Sequence, residues 1–240
     1  SNVSIFKIFS PQLNTHTTIR LYLPQGYMTN ESRYAVIYMH DAQNLFDRNT
    51  SFSGEWKVDE ALDSLRANTI IVGIDHGGEK RLEQLTPYPN PKHGGGNAQA
   101  YMDFIVNTLK PHINSLYRTK PDANNTAIMG SSLGGLVSLY AVIKYPTVFG
   151  KAGIFSPALW YTNDIFKLVE SAKNISSKIY MMAGDSEDDD MVPDIERMKG
   201  LLLKRMPAKN LFVKIVPGGK HNEALWANEF PGAYLWLMKK

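Results

Sequence analysis

The stretch Thr126-Ala127-Ile128-Met129-Gly130-Ser131-Ser132-Leu133-Gly134-Gly135-Leu136 decides how this chain is read. A short apolar run leads into Gly-x-Ser-x-Gly, and Leu136, Leu139, Tyr140 and Ile143 then follow at helical spacing. Strand, tight turn and helix in that order make a nucleophile elbow. The serine's backbone is strained, and glycine two residues before and after it lets strand and helix approach closely. The hydroxyl then stands clear of the sheet, beside the free N–H groups and positive end of the next helix. Of the two adjacent serines only Ser132 has glycine on both sides at that spacing, and Ser131 is the filler position. The competing reading, a phosphate-binding glycine turn, lacks the lysine of a Walker-type loop.

Working outward, strands are expected at 3–9, 17–23, 34–39, 69–74, 126–129, 151–155, 179–183 and 211–216. Helical periods lie at 58–66, 98–117, 133–144, 164–172, 193–203 and about 222–238, with Pro111 expected to kink or split the second. The run Ile70-Ile71-Val72-Gly73-Ile74 is apolar on both faces, as a strand buried in a parallel sheet must be. Alternation of such strands with helices predicts repeated βαβ units. The first three strands, joined by shorter turns, suit an antiparallel edge. The expected architecture is α/β: one domain over 1–240, a mixed and mostly parallel sheet with helices on both faces.

Composition bounds the function. The 240 residues carry 43% apolar and 20% charged side chains, a globular balance. A net charge of +3, without a dense basic run, argues against a nucleic-acid partner. No stretch approaches the roughly 18 apolar residues of a spanning helix. Cysteine is absent, which excludes disulfides, thiolate chemistry and Cys-ligated zinc but fits an exported chain as well as a cytosolic one. The chain starts at Ser1 and not at Met, so any leader is expected to have been removed or never to have existed.

A nucleophilic serine needs a general base, and in this arrangement acid and histidine follow it in chain order. His221, in the loop Val216-Pro217-Gly218-Gly219-Lys220-His221-Asn222, is the only histidine after Ser132. The acid is expected just past the strand at 179–183, where the chain reads Gly184-Asp185-Ser186-Glu187-Asp188-Asp189-Asp190. Glu187, three residues beyond Gly184, is the first choice, with Asp185, Asp188 and Asp189 in competition. The same run has a lesser calcium reading. Asp185, Glu187, Asp189 and Glu196 match ligand positions of an EF-hand, but Asp190 stands where the sharp turn needs glycine and Pro193 intrudes. One oxyanion donor is expected to be the backbone N–H of Leu133, and the second to come from the loop after the third strand, His40-Asp41-Ala42-Gln43-Asn44-Leu45-Phe46-Asp47.

That loop belongs to a set of motifs. With it go Val72-Gly73-Ile74-Asp75, Arg81 and the loop to Tyr88, Tyr117-Arg118-Thr119, and the serine turn itself. Tyr145-Pro146-Thr147-Val148-Phe149-Gly150, Ser156-Pro157-Ala158-Leu159-Trp160 and Gly219-Lys220-His221-Asn222 complete it. Across nearly its whole length the chain resembles the α/β-hydrolase esterases that include enterochelin esterases, carbohydrate esterase family 1 (feruloyl and acetylxylan esterases) and the mycolyltransferases. The resemblance implies an α/β-hydrolase fold and a serine ester hydrolase without cofactor or metal. Ser132 matches its nucleophile, His221 its base and Glu187 its acid. It assigns the second oxyanion N–H to Gln43, although this chain has Asp41-Ala42 where the family often shows Asp-Gly. It also places Trp160 at an acyl or leaving-group pocket; the alternative is a core aromatic at a strand end.

The expected reaction is hydrolysis of a small or soluble ester through an acyl-enzyme. Acyl transfer to a sugar or lipid hydroxyl, and a non-catalytic ligand-binding relative, are the alternatives. Trp56, Tyr88, Asn90, Trp160 and Tyr161 are candidates to stack a sugar or aromatic acid, and 77–97 is the expected variable wall of the pocket. The natural ester, the oligomeric state and the compartment are not legible.

Overall fold

The computed structural model describes residues 2–238, so the expectation tied to Ser1 lies outside the described residues. Eight strands form one sheet: β1 (Val3–Ser10), β2 (Thr15–Tyr22), β3 (Ala35–His40), β4 (Thr69–Ile74), β5 (Thr126–Ser131), β6 (Lys151–Phe155), β7 (Lys178–Gly184) and β8 (Leu211–Val216). Their order is β1-β2-β4-β3-β5-β6-β7-β8. β1 pairs antiparallel with β2 and β2 with β4, and every other pairing is parallel. The α/β-hydrolase architecture expected from the sequence is the one observed.

One placement differs. The antiparallel edge consists of β1 and β2 alone, while β3 lies inside the sheet, parallel to both β4 and β5. Residues decide this. β1 alternates half-buried and exposed positions, whereas Val36 to His40 are buried without a break. A strand apolar on both faces must be covered on both.

The helices are α1 (Val58–Ser64), α2 (Arg81–Leu85), α3 (Ala98–Phe104), α4 (Lys110–Leu116), α5 (Leu133–Lys144), α6 (Asp164–Ser171), α7 (Met191–Leu202) and α8 (Glu223–Met238). They cover both sides of the sheet. Ile37, Met39, Ala127 and Met129 point to one face, where Val58 and Leu62 of α1 and Trp226 and Phe230 of α8 meet them. Val36, Tyr38 and Ile128 point to the other, against Leu136 and Leu139 of α5 and Phe104 of α3. This two-residue alternation gives each central strand two apolar faces.

The helical period at 98–117 is broken where Pro111 predicts. Five residues, Ile105–Leu109, form a π turn between α3 and α4. Proline lacks an N–H and its ring crowds the carbonyl four residues back; widening the turn absorbs both.

Candidate active site

Every candidate residue lies just beyond the carboxyl end of a parallel strand. Ser132 follows β5, Asp41 follows β3, Ser156 follows β6, and Glu187 and His221 stand in the loops after β7 and β8. In an open α/β sheet this edge is where loops can converge on a ligand.

Ser132 has φ 56° and ψ −120°, a conformation rarely adopted outside glycine. Three backbone bonds hold it there: its N–H donates to Phe155 O (2.9 Å), and its carbonyl accepts from Leu136 N–H (3.0 Å) and Ala158 N–H (3.1 Å). The glycines provide the space. A Cβ on Gly130 would lie 2.9 Å from the Gly134 carbonyl carbon, and one on Gly135 would lie 2.9 Å from Phe155 O. The N–H of Leu133, at the first position of α5, is free of intrahelical bonding.

The acidic run divides its labour. Glu187 turns inward, its side chain fully buried, and places Oε2 2.6 Å from His221 Nδ1. Its Oε1 accepts the Ser156 hydroxyl (2.6 Å) and the Gly184 N–H (2.6 Å). Burial by itself would raise the Glu187 pKa, but the hydrogen bonds from His221, Ser156 and Gly184 outweigh it and hold the carboxyl below its ordinary value. Asp185 instead accepts the Gly218 N–H (2.7 Å) and fastens the histidine loop to the acid loop. Asp188 accepts the N–H groups of Asp190 and Met191 at the start of α7. Asp189 is exposed. Spent in these separate ways, Asp185, Glu187 and Asp189 do not converge on an ion. Among the described residues the one carboxylate trio close enough is Glu55, Asp59 and Glu60, elsewhere in the chain.

A second tier supports this contact. Ser156, fully buried with φ 41°, donates to Glu187 and accepts the indole N–H of Trp226 (2.8 Å). The Trp226 ring stands edge-on to His221, 5.1 Å between centroids. Sequence reasoning assigned neither residue a role. The signal was weak: Ser156 sits between a strand and a proline, and Trp226 lies five residues past His221 on the next helix.

Ser131, Ser132 and His221 line one cavity of about 430 Å³, with Asp41, Asn44, Phe52, Ser53, His76, Arg81, Glu223 and Trp226. Asp41 adopts a left-handed conformation (φ 54°) and opens the 3-10 turn Ala42–Asn44. Arg81 grips its carboxylate with two bonds, Nε to Oδ1 at 2.7 Å and Nη2 to Oδ2 at 2.9 Å. Burial opposes the Arg81 charge, but Asp41, with Tyr101 and Glu223, overcomes it and raises the guanidinium pKa. Ala42 fits because its neighbour is glycine: a Cβ on Gly73 would lie 2.8 Å from the Ala42 methyl. Behind the turn His40 is buried, with Nδ1 2.7 Å from the Tyr101 hydroxyl, and burial lowers its pKa to about 4.

Other expected site residues fall outside this cavity. The Gln43 side chain bonds the His76 backbone, donating to its carbonyl and accepting its N–H, both at 3.2 Å. It lines a neighbouring cavity of about 670 Å³ that shares His76 and includes Gly77, Gln84 and Asn97 from the loop at 77–97. Trp160 is 53% exposed and stands edge-on to His93, which overturns the core-aromatic alternative. Trp56 and Tyr161 are not stacking platforms. Trp56 is buried against Phe155 and Trp226, and the buried Tyr161 donates its hydroxyl to Gly94 O.

An open, mostly parallel sheet carrying a strained serine at a strand-to-helix turn defines an α/β-hydrolase-like protein. Residues 10–237 match the model of the Esterase family, described as "Putative esterase", and the chain belongs to that family. It is thereby a carboxylic ester hydrolase. It is 27% identical over 235 residues to the uncharacterized protein YbbA of Bacillus subtilis, covering 92% of each chain. The fold is that of the BES protein from Bacillus cereus, with TM-score 0.80 at 22% identity, covering all of this chain and 96% of that one. It is also that of the enterobactin esterase FES from Shigella flexneri, with TM-score 0.78 at 16% identity, covering 99% of this chain but 59% of that one. Among the described residues no helix is long and apolar enough to cross a membrane.

Proposed function

We propose that residues 1–240 act as one serine esterase domain in which Ser132, His221 and Glu187 work together on a small, soluble ester. The observation that carries this reading is the 2.6 Å Glu187–His221 contact at the wall of the cavity that Ser132 also lines. With Nδ1 held by the acid, His221 keeps Nε2 for the serine proton. The Ser132 oxygen attacks the ester carbonyl as His221 takes that proton, and Glu187 stabilises the imidazolium. Negative charge collects on the carbonyl oxygen, facing the backbone N–H groups of Leu133 and Gln43. In support, the N–H groups of Ala42 and Gln43 make no hydrogen bond within the described residues. His221 then protonates the leaving alcohol, and water releases the acyl group by the reverse proton route.

A cavity of about 430 Å³ suits a compact ester. Phe52, 92% exposed at its rim, offers an apolar contact to a substrate. Trp160 is then a more distant contact for a longer substrate. Acyl transfer to an added alcohol uses the same residues and is distinguished by product analysis.

The test is hydrolysis of p-nitrophenyl acetate. Ser132→Ala is expected to lower turnover by about 10⁴–10⁶ and to abolish labelling by a fluorophosphonate. Undiminished turnover in that variant ends the reading.

A further inference from the structure

Three of the residues lining the Ser132 cavity carry a formal charge: Asp41, Arg81 and Glu223. Two of them form a pair, because Arg81 gives both Nε and Nη2 to the Asp41 carboxylate. Glu223 has no such partner. Its Oε2 accepts the Ser53 hydroxyl at 2.6 Å, and Oε1 makes no hydrogen bond to any described residue. The residue is nevertheless 5% exposed, on a wall that also holds His221, two positions earlier in the chain. Arg81 feels the Glu223 charge across the cavity, but its guanidinium is already held by two bonds to Asp41. Glu223 Oε1 is thus left open to the cavity, where water or a group of a bound ester can meet it.

Resting on the esterase reading of Ser132, we propose that Glu223 sets the charge preference of this site: it favours esters bearing a positive group and disfavours esters bearing a carboxylate. The cavity wall holds one more carboxylate than guanidinium, and its partly enclosed shape weakens solvent screening. A substrate cation within a few ångströms of Oε1 gains a charge-assisted contact; a substrate anion meets repulsion. The competing role is purely structural. Glu223 opens α8 and holds the Phe52-Ser53-Gly54 loop through Ser53 and through packing on Gly54, and in that role it would treat all esters alike.

Three aryl acetates of similar shape separate these roles: meta-trimethylammoniophenyl, meta-tert-butylphenyl and meta-carboxyphenyl acetate. Glu223→Gln retains the bond from Ser53 and removes the charge. The cation-to-neutral ratio of kcat/KM is expected to fall about tenfold and the anion-to-neutral ratio to rise by a similar factor. Comparing ratios between variants cancels the intrinsic reactivity of each ester. Ser53→Ala, which keeps the charge, is expected to retain the preference. In the unmodified protein the cation-to-neutral ratio should fall as salt is raised, a measurement that needs no folded variant. Equal changes for all three esters in Glu223→Gln, or a ratio insensitive to salt, overturn the inference. Full turnover of all three acetates by Ser132→Ala would instead overturn the esterase reading.

Discussion

Glu187 Oε2 lies 2.6 Å from His221 Nδ1, although the two residues are 34 apart in sequence and Glu187 has acidic neighbours on all but one side. The contact exists because β7 and β8 end together. Ser186 N–H donates to Gly219 O (3.0 Å), and Gly184 and Gly219 leave no room for a side chain between their backbones. Asp185 draws the two loops together, which leaves Glu187 to reach the ring.

This division predicts unequal mutants. Glu187→Gln should lower kcat on p-nitrophenyl acetate by about 10²–10⁴, because a carboxamide neither stabilises imidazolium nor fixes the tautomer. Asp185→Asn should cost far less. Glu187 has a lowered pKa, so its ionised form adds stability at neutral pH, and that gain is lost as pH falls below the ordinary value of 4.5. Melting curves should therefore show a Glu187→Gln deficit near neutral pH that shrinks under acid.

Ser156→Ala removes one donor to Glu187 and, among the described residues, the only acceptor of the Trp226 indole. The variant should lose about 1–3 kcal/mol of stability by urea unfolding, the cost of unpaired buried polar groups. It should also lose activity when assayed at temperatures where it is fully folded, since the acid is less well held. Full activity there would remove Ser156 from any positioning role.

Gly130→Ala tests the serine turn. Its methyl would press on the Gly134 backbone at 2.9–3.0 Å, and neither strand nor helix can withdraw without moving Ser132. We expect about 1–3 kcal/mol of destabilisation and a larger loss of turnover than of substrate binding. Thermal melts and steady-state kinetics read both.

Asp59, near the start of α1, has its pKa pushed up to about 7 by burial first and then by the hydrogen bond and charge of Glu60. A raised carboxyl pKa stabilises the fold while the group is protonated, and that stability is lost as pH rises from 3.8 through about 7. Asp59→Asn should thus raise the melting temperature at about pH 9 more than at about pH 5. An equal shift at both would show that the carboxyl titrates normally.

The sheet was legible because its strands are short apolar runs between turn residues, and β4, β6 and β8 begin and end where the sequence places them. The strained turn at Ser132 and the late loop that carries His221 to the same cavity were legible for a similar reason: each has local surroundings that few other structures require. β3 was misplaced because connection length was weighed above the unbroken burial that its residues encode. The roles of Ser156, Trp226, Arg81 and Glu223 come from contacts between segments 31 to 170 residues apart, which no local pattern records. Trp160 shows the reverse limit. A tryptophan at a strand end reads equally as core or as pocket, and here it faces solvent beside His93.

Through Ser156 the indole of Trp226 is wired to the same carboxylate that steadies the imidazole. On the proposed mechanism the opening turn of the final helix underwrites the chemistry, although it supplies none of the reacting atoms. Fraying of that one turn would let the ring swing free while the eight strands stay intact. Warmed gradually, the enzyme should fall silent several degrees before it melts.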